Sequence, residues 1–373
     1  MTLLGLVSAI TGFVKVRFLE EKEVIDTAIF RLHSRATCAM LFLACALCTA
    51  TTLLGDPIAC LNDFKKGDFN KPLNTYCWIS STFSLPKHLH KPAGQVIYAG
   101  IGPHSPGEDE QTFHTYYQWV PFALLFQGIL FYLPHWLWKS MEQKRIEVIS
   151  KGLRGVLVDP NRSHDSVERL ADYLVQTVNS NTHYGVGYML CELLNLVNVI
   201  GNIFLIDKFL GGVFLSYGTE VISFANMEQF NRTDPMIRIF PRITKCAFHS
   251  YGSSGSIQTH DLMCVMAINV INEKIYIFLW FWLFALCGLT VLGVLHSLAL
   301  VVSRDWRAVV LRKRFLSRPE AEFLAHTLPL GDFMLLNFLS YNVDSSLFDL
   351  LLQHVHARVK FSNFKGLSKH LPY

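Results

Sequence analysis

Four long runs of apolar residues interrupt an otherwise mixed sequence, and each run holds at most one charged residue. A bilayer core about 30 Å thick is crossed by a helix of roughly 20 mainly apolar residues. Helices of soluble proteins rarely stay apolar on every face, so the pattern predicts four membrane-spanning helices. They cover residues 36–54, 116–138, 186–206 and 275–303.

The segments between the spans carry shorter periodic patterns. Residues 165–178 place leucines on one face of a helix, and similar patterns occupy residues 319–327, 331–339 and 343–359. We expect these helices to pack into one helical domain. The predicted segments outside the spans are an N-terminal segment 1–35, connecting loops 55–115, 139–185 and 207–274, and a C-terminal region 304–373.

The last connecting loop also contains a pattern typical of a strand. Ile237, Ile239, Ile243 and Thr244 are β-branched and precede Cys246. Because β-branched residues are favoured in strands, we predict a strand immediately before this cysteine.

Basic residues indicate which side of the membrane each segment occupies. Lys and Arg number 5 in residues 1–35, 7 in residues 139–185 and 10 in residues 304–373, against 5 in residues 55–115 and 6 in residues 207–274. Cytoplasmic segments carry the excess of Lys and Arg, most strictly close to the spans. Both termini are therefore predicted to be cytosolic, and two long loops to be extracellular.

The cysteines agree with this orientation. Two lie in the first outer loop (Cys60 and Cys77) and two in the second (Cys246 and Cys264), whereas the other five lie within spans. Disulfides form in oxidising compartments, so an even set confined to the outer loops predicts disulfides there. Four cysteines allow three pairings, and the residues alone do not choose between them.

Composition argues against a soluble enzyme. Charged residues make up 17% of the chain and apolar residues 51%, with a mean hydropathy of +0.30. The sequence contains no zinc-protease, P-loop, nucleophile-elbow or dinucleotide motif, so no catalysis and no cofactor are expected. His88, His90, His104 and His114 lack the spacing of zinc ligands, and we interpret them as residues of a solvated loop.

The third span carries a polar stripe. Glu192, Asn195, Asn198 and Asn202 fall on neighbouring faces of a helix. Polar groups at membrane depth are costly and face a bundle interior or water rather than lipid. The stripe either lines a pore or forms hydrogen bonds between helices.

The second span contains two prolines, Pro121 and Pro134. Proline inside a helix removes a backbone donor and clashes with the preceding turn, so it kinks the helix. Two interpretations remain open, a gating hinge and a fixed bend that only shapes the bundle.

Several motifs together resemble one family, the innexins. The pentapeptide Tyr116-Tyr117-Gln118-Trp119-Val120 is similar to the innexin signature at the start of the second span. Residues 235–282 are similar along their whole length, and the resemblance extends to nearly the full chain. Further matching motifs are Gly55-Asp56-Pro57-Ile58, Thr75-Tyr76-Cys77-Trp78 and Gly331-Asp332.

The resemblance implies a fold and a function. The fold is an all-α membrane protein, a four-transmembrane-helix bundle with disulfide-braced extracellular loops and a helical cytoplasmic dome. Its function is to form, in the plasma membrane, large-pore gap-junction channels that pass ions and small molecules between adjacent cells. Subunits of one or several innexins assemble into an octamer, with a hexamer as the alternative, and dock with a hemichannel of the adjacent cell. The bilayer is a partner, and nucleic acid is not.

The resemblance also assigns roles to individual residues. It implies disulfides between Cys60 and Cys264 and between Cys77 and Cys246. The N-terminal segment is expected to enter the pore mouth, and its apolar residues are expected to form a constriction that gates by dewetting. Asp56 is expected either to favour cations at the pore entrance or to cap a turn. The constriction residues are Leu3, Leu4, Leu6 and Val7.

Two other functions share these features. An undocked hemichannel would release metabolites from single cells, and a glycan on the acceptor Asn231 would favour it by obstructing docking. A tetraspan adhesion or scaffold protein would carry the same helices and loops without a pore. An intramembrane enzyme is disfavoured because no reactive pair lies within the spans.

Overall fold

The computed structural model describes residues 23–61, 70–89, 95–103, 105, 109–151, 153, 160–226, 234–313 and 319–368. These form two compact units. The sheet unit comprises Arg31–Pro134 and Leu193–Leu292, and the helical unit comprises the chain up to Phe30, His135–Glu192 and the chain from Gly293 onward.

In the part of the chain that the structure describes, four helices are long and apolar enough to cross a membrane. Each extends past its predicted window at one end or at both, but the second begins at Val120 rather than at Tyr116, because Tyr116–Gln118 forms a 3-10 turn. The first includes a π-helical stretch, Leu32–Thr37. The four are α1 (Ala28–Leu54), α3 (Val120–Glu142), α6 (Thr182–Phe209) and α9 (Ala267–Val302).

The sheet unit contains one antiparallel sheet in the order β1-β5-β4-β2-β3. Its strands come from the two loops predicted to be extracellular, 55–115 and 207–274, so these two loops fold together. The strands are β1 (Ala59–Leu61), β2 (Thr82–Ser84), β3 (Thr112–His114), β4 (Ile243–Tyr251) and β5 (Ile257–Val265), with the helices α2 (Asn70–Ser80), α7 (Phe214–Ala225) and α8 (Pro235–Ile239).

The predicted strand before Cys246 is partly wrong. The strand begins at Ile243 and continues through Cys246, but Pro235–Ile239 is a short helix. Asp234 caps this helix by accepting a hydrogen bond from the Met236 N–H at 2.9 Å, and Pro235 stands at its first position. This capping arrangement outweighs the strand preference of two isoleucines.

Among the described residues, the helical unit contains six shorter helices besides its parts of the long ones. A buried apolar cluster that includes Val167, Leu170, Phe348 and Leu351 joins the connecting-loop helix to the C-terminal helices, which confirms the predicted helical domain. The six are α4 (Arg145–Ser150), α5 (Pro160–Gln176), α10 (Arg304–Arg312), α11 (Pro319–Thr327), α12 (Leu330–Leu339) and α13 (Ser345–Ser368).

Candidate functional site

Two disulfides join the loops of the sheet unit, and they are the pairings that the family resemblance implies. Cys60 on β1 bonds to Cys264 on β5, at a position where the two residues also face each other in the sheet register. Cys77 on α2 bonds to Cys246 on β4. The bonds close chain loops of 204 and 169 residues, and long closed loops give large entropic stabilisation, roughly 2–5 kcal/mol per bond.

The two disulfides lie side by side in one small core. The sulfur atoms of Cys60, Cys77 and Cys264 are within 4.8 Å of one another, a spacing that three free thiols would use to hold a metal. Here the sulfurs are committed to disulfides, so the group braces the sheet instead. Ile58, Leu73, Tyr117, Leu262 and Met266 pack around it.

The β4–β5 hairpin is the longest paired element of the sheet, with nine residue pairs from Ile243–Val265 to Tyr251–Ile257. Its base carries both disulfides, whereas its tip displays apolar side chains to solvent. Tyr251 is 81% exposed and Ile257 is 70% exposed. A braced hairpin with an apolar tip is suited to contact another surface.

The family pentapeptide ties the start of α3 to both loops. The Tyr116 hydroxyl donates to the Ile239 carbonyl oxygen at 2.9 Å. The Tyr117 hydroxyl and the Gln118 amide both donate to the Trp78 carbonyl oxygen, at 3.2 and 2.5 Å. The motif therefore acts as a structural clamp between the first span's loop and the segment before β4.

Asp56 lies exposed just beyond the end of α1. The end of that helix is closed by the backbone, because the Gly55 N–H donates to the Thr51 carbonyl oxygen at 3.2 Å. The capping contact thus comes from Gly55, and the Asp56 carboxylate is left facing solvent.

The two prolines of the second span occupy different kinds of position. Pro121 is the second residue of α3, where the missing N–H has no helical partner to lose. Its predicted kink is therefore wrong. Pro134 lies in the interior of the helix, where it removes an intrahelical hydrogen bond, and it remains the hinge candidate.

The polar stripe of the third span is mostly buried within the chain. Asn195 and Asn202 are each 2% exposed, which places them inside the bundle rather than on a pore-facing surface. Asn202 donates to the carbonyl and side-chain oxygens of Asn198 on its own helix, at 2.9 and 3.0 Å.

The histidines of the first loop are not all solvated, so that interpretation is wrong for two of them. His88 and His114 are buried. Burial lowers the pKa of His114 to about 4. The Nε2 of His88 is 3.1 Å from the Pro103 carbonyl oxygen. His90 and His104 lie outside the described residues.

The chain leading into α1 is held by the helical unit. The Val24 N–H donates to the Asn342 side-chain oxygen at 2.8 Å, and the Asn342 amide donates back to the Val24 carbonyl at 2.8 Å. The Trp138 indole N–H donates to the Ile25 carbonyl oxygen, also at 2.8 Å. The predicted constriction residues Leu3, Leu4, Leu6 and Val7 and the glycan acceptor Asn231 lie outside the described residues.

Sequence reasoning missed one charged network of the sheet unit. Glu273 is fully buried at the start of α9, and its carboxylate accepts from Arg242 at 2.8 Å and from Lys274 at 2.7 Å. The pKa of Arg242 is raised, chiefly by this hydrogen bond. The signal lay within residues 235–282, the stretch that carries the family resemblance along its whole length, but only the fold reveals these contacts.

Comparison with known proteins adds independent observations. The family model described as Innexin matches residues 26–359. Innexin inx3 of Drosophila melanogaster is 46% identical over 359 residues, which cover 95% of this chain and 90% of that protein. Innexin inx2 of the same organism is 41% identical, with 89% and 91% covered. Innexin shaking-B, also from this fly, is 39% identical, with 90% of each chain covered.

Proposed function

This chain belongs to the innexin family, and we propose that its braced outer sheet docks a channel in one cell onto a channel in the next. As an innexin, it is a multi-pass membrane protein and a subunit of gap-junction channels. The observation that carries the docking proposal is the single sheet built from both loops and joined by two disulfides.

The proposed orientation puts both termini in the cytosol of a cell whose plasma membrane the four helices cross. The distribution of Lys and Arg supports it, because the three segments assigned to the cytosol hold 5, 7 and 10 of them. The two disulfides also support it, since both lie in the loops assigned to the oxidising exterior.

The docking surface is proposed to include the tip of the β4–β5 hairpin. Tyr251 and Ile257 present apolar surface there, and the disulfides at the base hold the hairpin before contact is made. A pre-ordered loop loses less conformational entropy when it binds, so more of its contact energy appears as affinity.

Innexins form channels with other innexin subunits, and for this chain we propose an octamer, with a hexamer as the alternative. The ring contains copies of this chain alone or mixed with other innexins. Exposed apolar side chains on the long helices, such as Leu43, Phe122 and Phe204, supply surface for lipid and for neighbouring subunits. The mass of the detergent-solubilised assembly distinguishes eight subunits from six.

The pore is proposed to be constricted by Leu3, Leu4, Leu6 and Val7 at its cytoplasmic mouth. The apolar side chains of these four residues support this, because an apolar constriction can gate by dewetting. Asp56 is proposed to attract cations at the outer entrance, since its carboxylate is exposed beside the end of α1. Asp56→Asn should lower the cation-to-anion permeability ratio, whereas Glu110→Gln, which removes another exposed carboxylate of the same loop, should not.

Expression in paired cells that lack native junctions tests the function. Docked channels predict current that passes from one cell to the other. Current or dye uptake in single cells without coupling would instead support the undocked hemichannel. Normal surface expression with no current between cells, and no current or dye uptake in single cells, would support the non-conducting adhesion or scaffold protein.

A further inference from the structure

A cavity of about 840 Å³ opens in the helical unit. Its walls come from the last turn of α3, the helix α4 that follows, the middle of α5 and the first turn of α6. The ends of two membrane-spanning helices thus meet at this cavity, and the Trp138 and Tyr184 rings pack there with centroids 5.1 Å apart. The cavity therefore lies at the level where a bilayer ends and its headgroups begin.

The walls of the cavity are cationic. Arg145, Lys151 and Arg169 line it, and Glu142 is its one acidic residue among those described. The Glu142 carboxylate is buried and accepts the Ile146 N–H at 2.6 Å, so its charge is already engaged by the backbone.

Among the described residues, neutral groups hold the two arginines of the cavity in place. Arg145 donates to the Tyr173 hydroxyl at 2.9 Å and lies 6.0 Å from the centre of the Tyr184 ring. Arg169 donates to the Ser166 hydroxyl at 3.2 Å. Within the described part of the chain, no ion pair neutralises either arginine, so the cavity attracts an anion.

Two further features point to the ligand's chemistry. Tyr184 is buried in the wall, and its hydroxyl has no hydrogen-bond partner among the described residues. Met141 and Val148 also line the cavity and are 53% and 71% exposed. The cavity thus combines cationic side chains and one hydroxyl without a described partner with exposed apolar surface, which suits a molecule with a charged head and a hydrocarbon chain.

We propose that this cavity binds the phosphate-bearing headgroup of an anionic lipid. Arg145, Lys151 and Arg169 engage the phosphate, and Met141 and Val148 contact the first part of the acyl chains. Basic pockets at the ends of spanning helices are suited to such headgroups, and anionic lipids are enriched in the cytoplasmic leaflet. This leaflet follows from the orientation proposed above, but binding itself requires neither docking nor a conducting pore.

Native mass spectrometry of the purified full-length protein tests the proposal. The probes are a short-chain phosphatidylinositol phosphate, a short-chain phosphatidylcholine and a soluble inositol phosphate. The binding variant is Lys151→Gln with Arg169→Gln, two exposed positions whose change leaves the cores intact. The matched control is Lys360→Gln, an exposed lysine of α13 outside the cavity. Elution of each variant from a size-exclusion column as the intact assembly checks that the variant folds.

The anionic lipid should bind the wild-type chain, and phosphatidylcholine should not. Each neutralised cation should weaken binding about fivefold, so the double variant should lose about 25-fold, whereas the control variant should bind like wild type. Equal affinity for the soluble inositol phosphate would overturn the lipid as the ligand's source. Anionic-lipid binding that the double variant leaves unchanged would overturn the site.

Discussion

The Nε2 atom of His114 lies 2.8 Å from the Ser84 hydroxyl oxygen, and both side chains are buried between the short strands β2 and β3. These strands form one edge of the braced sheet. An imidazole without access to water resists protonation, and burial lowers the pKa of His114 from 6.5 to about 4. The contact therefore makes this edge of the sheet sensitive to acid.

Acidification should destabilise the sheet edge. The unfolded chain binds a proton at His114 near pH 6.5, whereas the folded chain does so only near pH 4. The contribution is fully present above pH 6.5 and is lost as the pH falls, by about 2 kcal/mol at about pH 5. Hydrogen exchange of the β2 and β3 amides, compared above pH 6.5 and at about pH 5, measures this loss of stability. The rates are first corrected for the intrinsic pH dependence of exchange.

His114→Gln supplies the control, because glutamine retains a hydrogen-bonding side chain but does not titrate. The acid-induced loss of protection should be much smaller in this variant. Equal losses in variant and wild type would assign the sensitivity to another group.

Gly331 should not tolerate a side chain. A Cβ atom at this position would lie 2.0 Å from the Asn181 carbonyl oxygen, and the next residue, Asp332, accepts the Asn179 N–H at 2.8 Å. Gly331→Ala should therefore cost at least about 2 kcal/mol in the free energy of unfolding. Gly288→Ala is the control, because nothing lies within 4 Å of its Cβ position. Thermal unfolding in detergent compares them, and equal melting temperatures would contradict the steric account.

The clamp on the Trp78 carbonyl oxygen should show coupling between its two donors. Tyr117→Phe removes one donor and should cost about 1 kcal/mol, because Gln118 still satisfies the oxygen. Adding Gln118→Ala should cost more than the two single changes together, since the oxygen is then left unpaired. A double-mutant cycle on the free energy of unfolding measures this. Tyr251→Phe, at an exposed tyrosine, should have no effect, and strict additivity would exclude the shared acceptor.

Pro134 and Pro121 form a matched pair for the hinge hypothesis. Pro134→Ala should restore an intrahelical hydrogen bond in α3 and shift the voltage dependence of the junctional current. Pro121→Ala should leave it unchanged, because that proline lies in the first turn. The same shift in both variants, or in neither, would remove Pro134 as a hinge.

The sequence alone predicted the long helices, but it did not predict all of the contacts that surround them. Long apolar runs with at most one charged residue have one common physical explanation, so the four spans were predictable. The helices of the C-terminal region were also predictable, because Pro319, Gly331 and Ser345 stand at or near their starts. The cysteine pairing was different, since the residues alone allowed three pairings and the family resemblance selected the observed one.

The remaining errors arise where distant segments decide the environment. His88 and His114 are polar residues in a polar loop, and their burial depends on strands of three residues paired across the chain. Ile237 and Ile239 favour strand locally, but the Asp234–Pro235 cap starts a helix. Which residues face a pore depends on neighbouring subunits, and no pattern within one chain determines it.

The most direct test of the docking account is the junctional current between paired cells that express Cys77→Ser with Cys246→Ser. The control is Cys287→Ser, which removes a half-buried free cysteine of α9. Removing one disulfide should release α2 from β4 and abolish coupling while the protein still reaches the cell surface, and the control should couple like wild type. Wild-type coupling in the double variant would contradict the claim that the disulfide-braced sheet makes the junction.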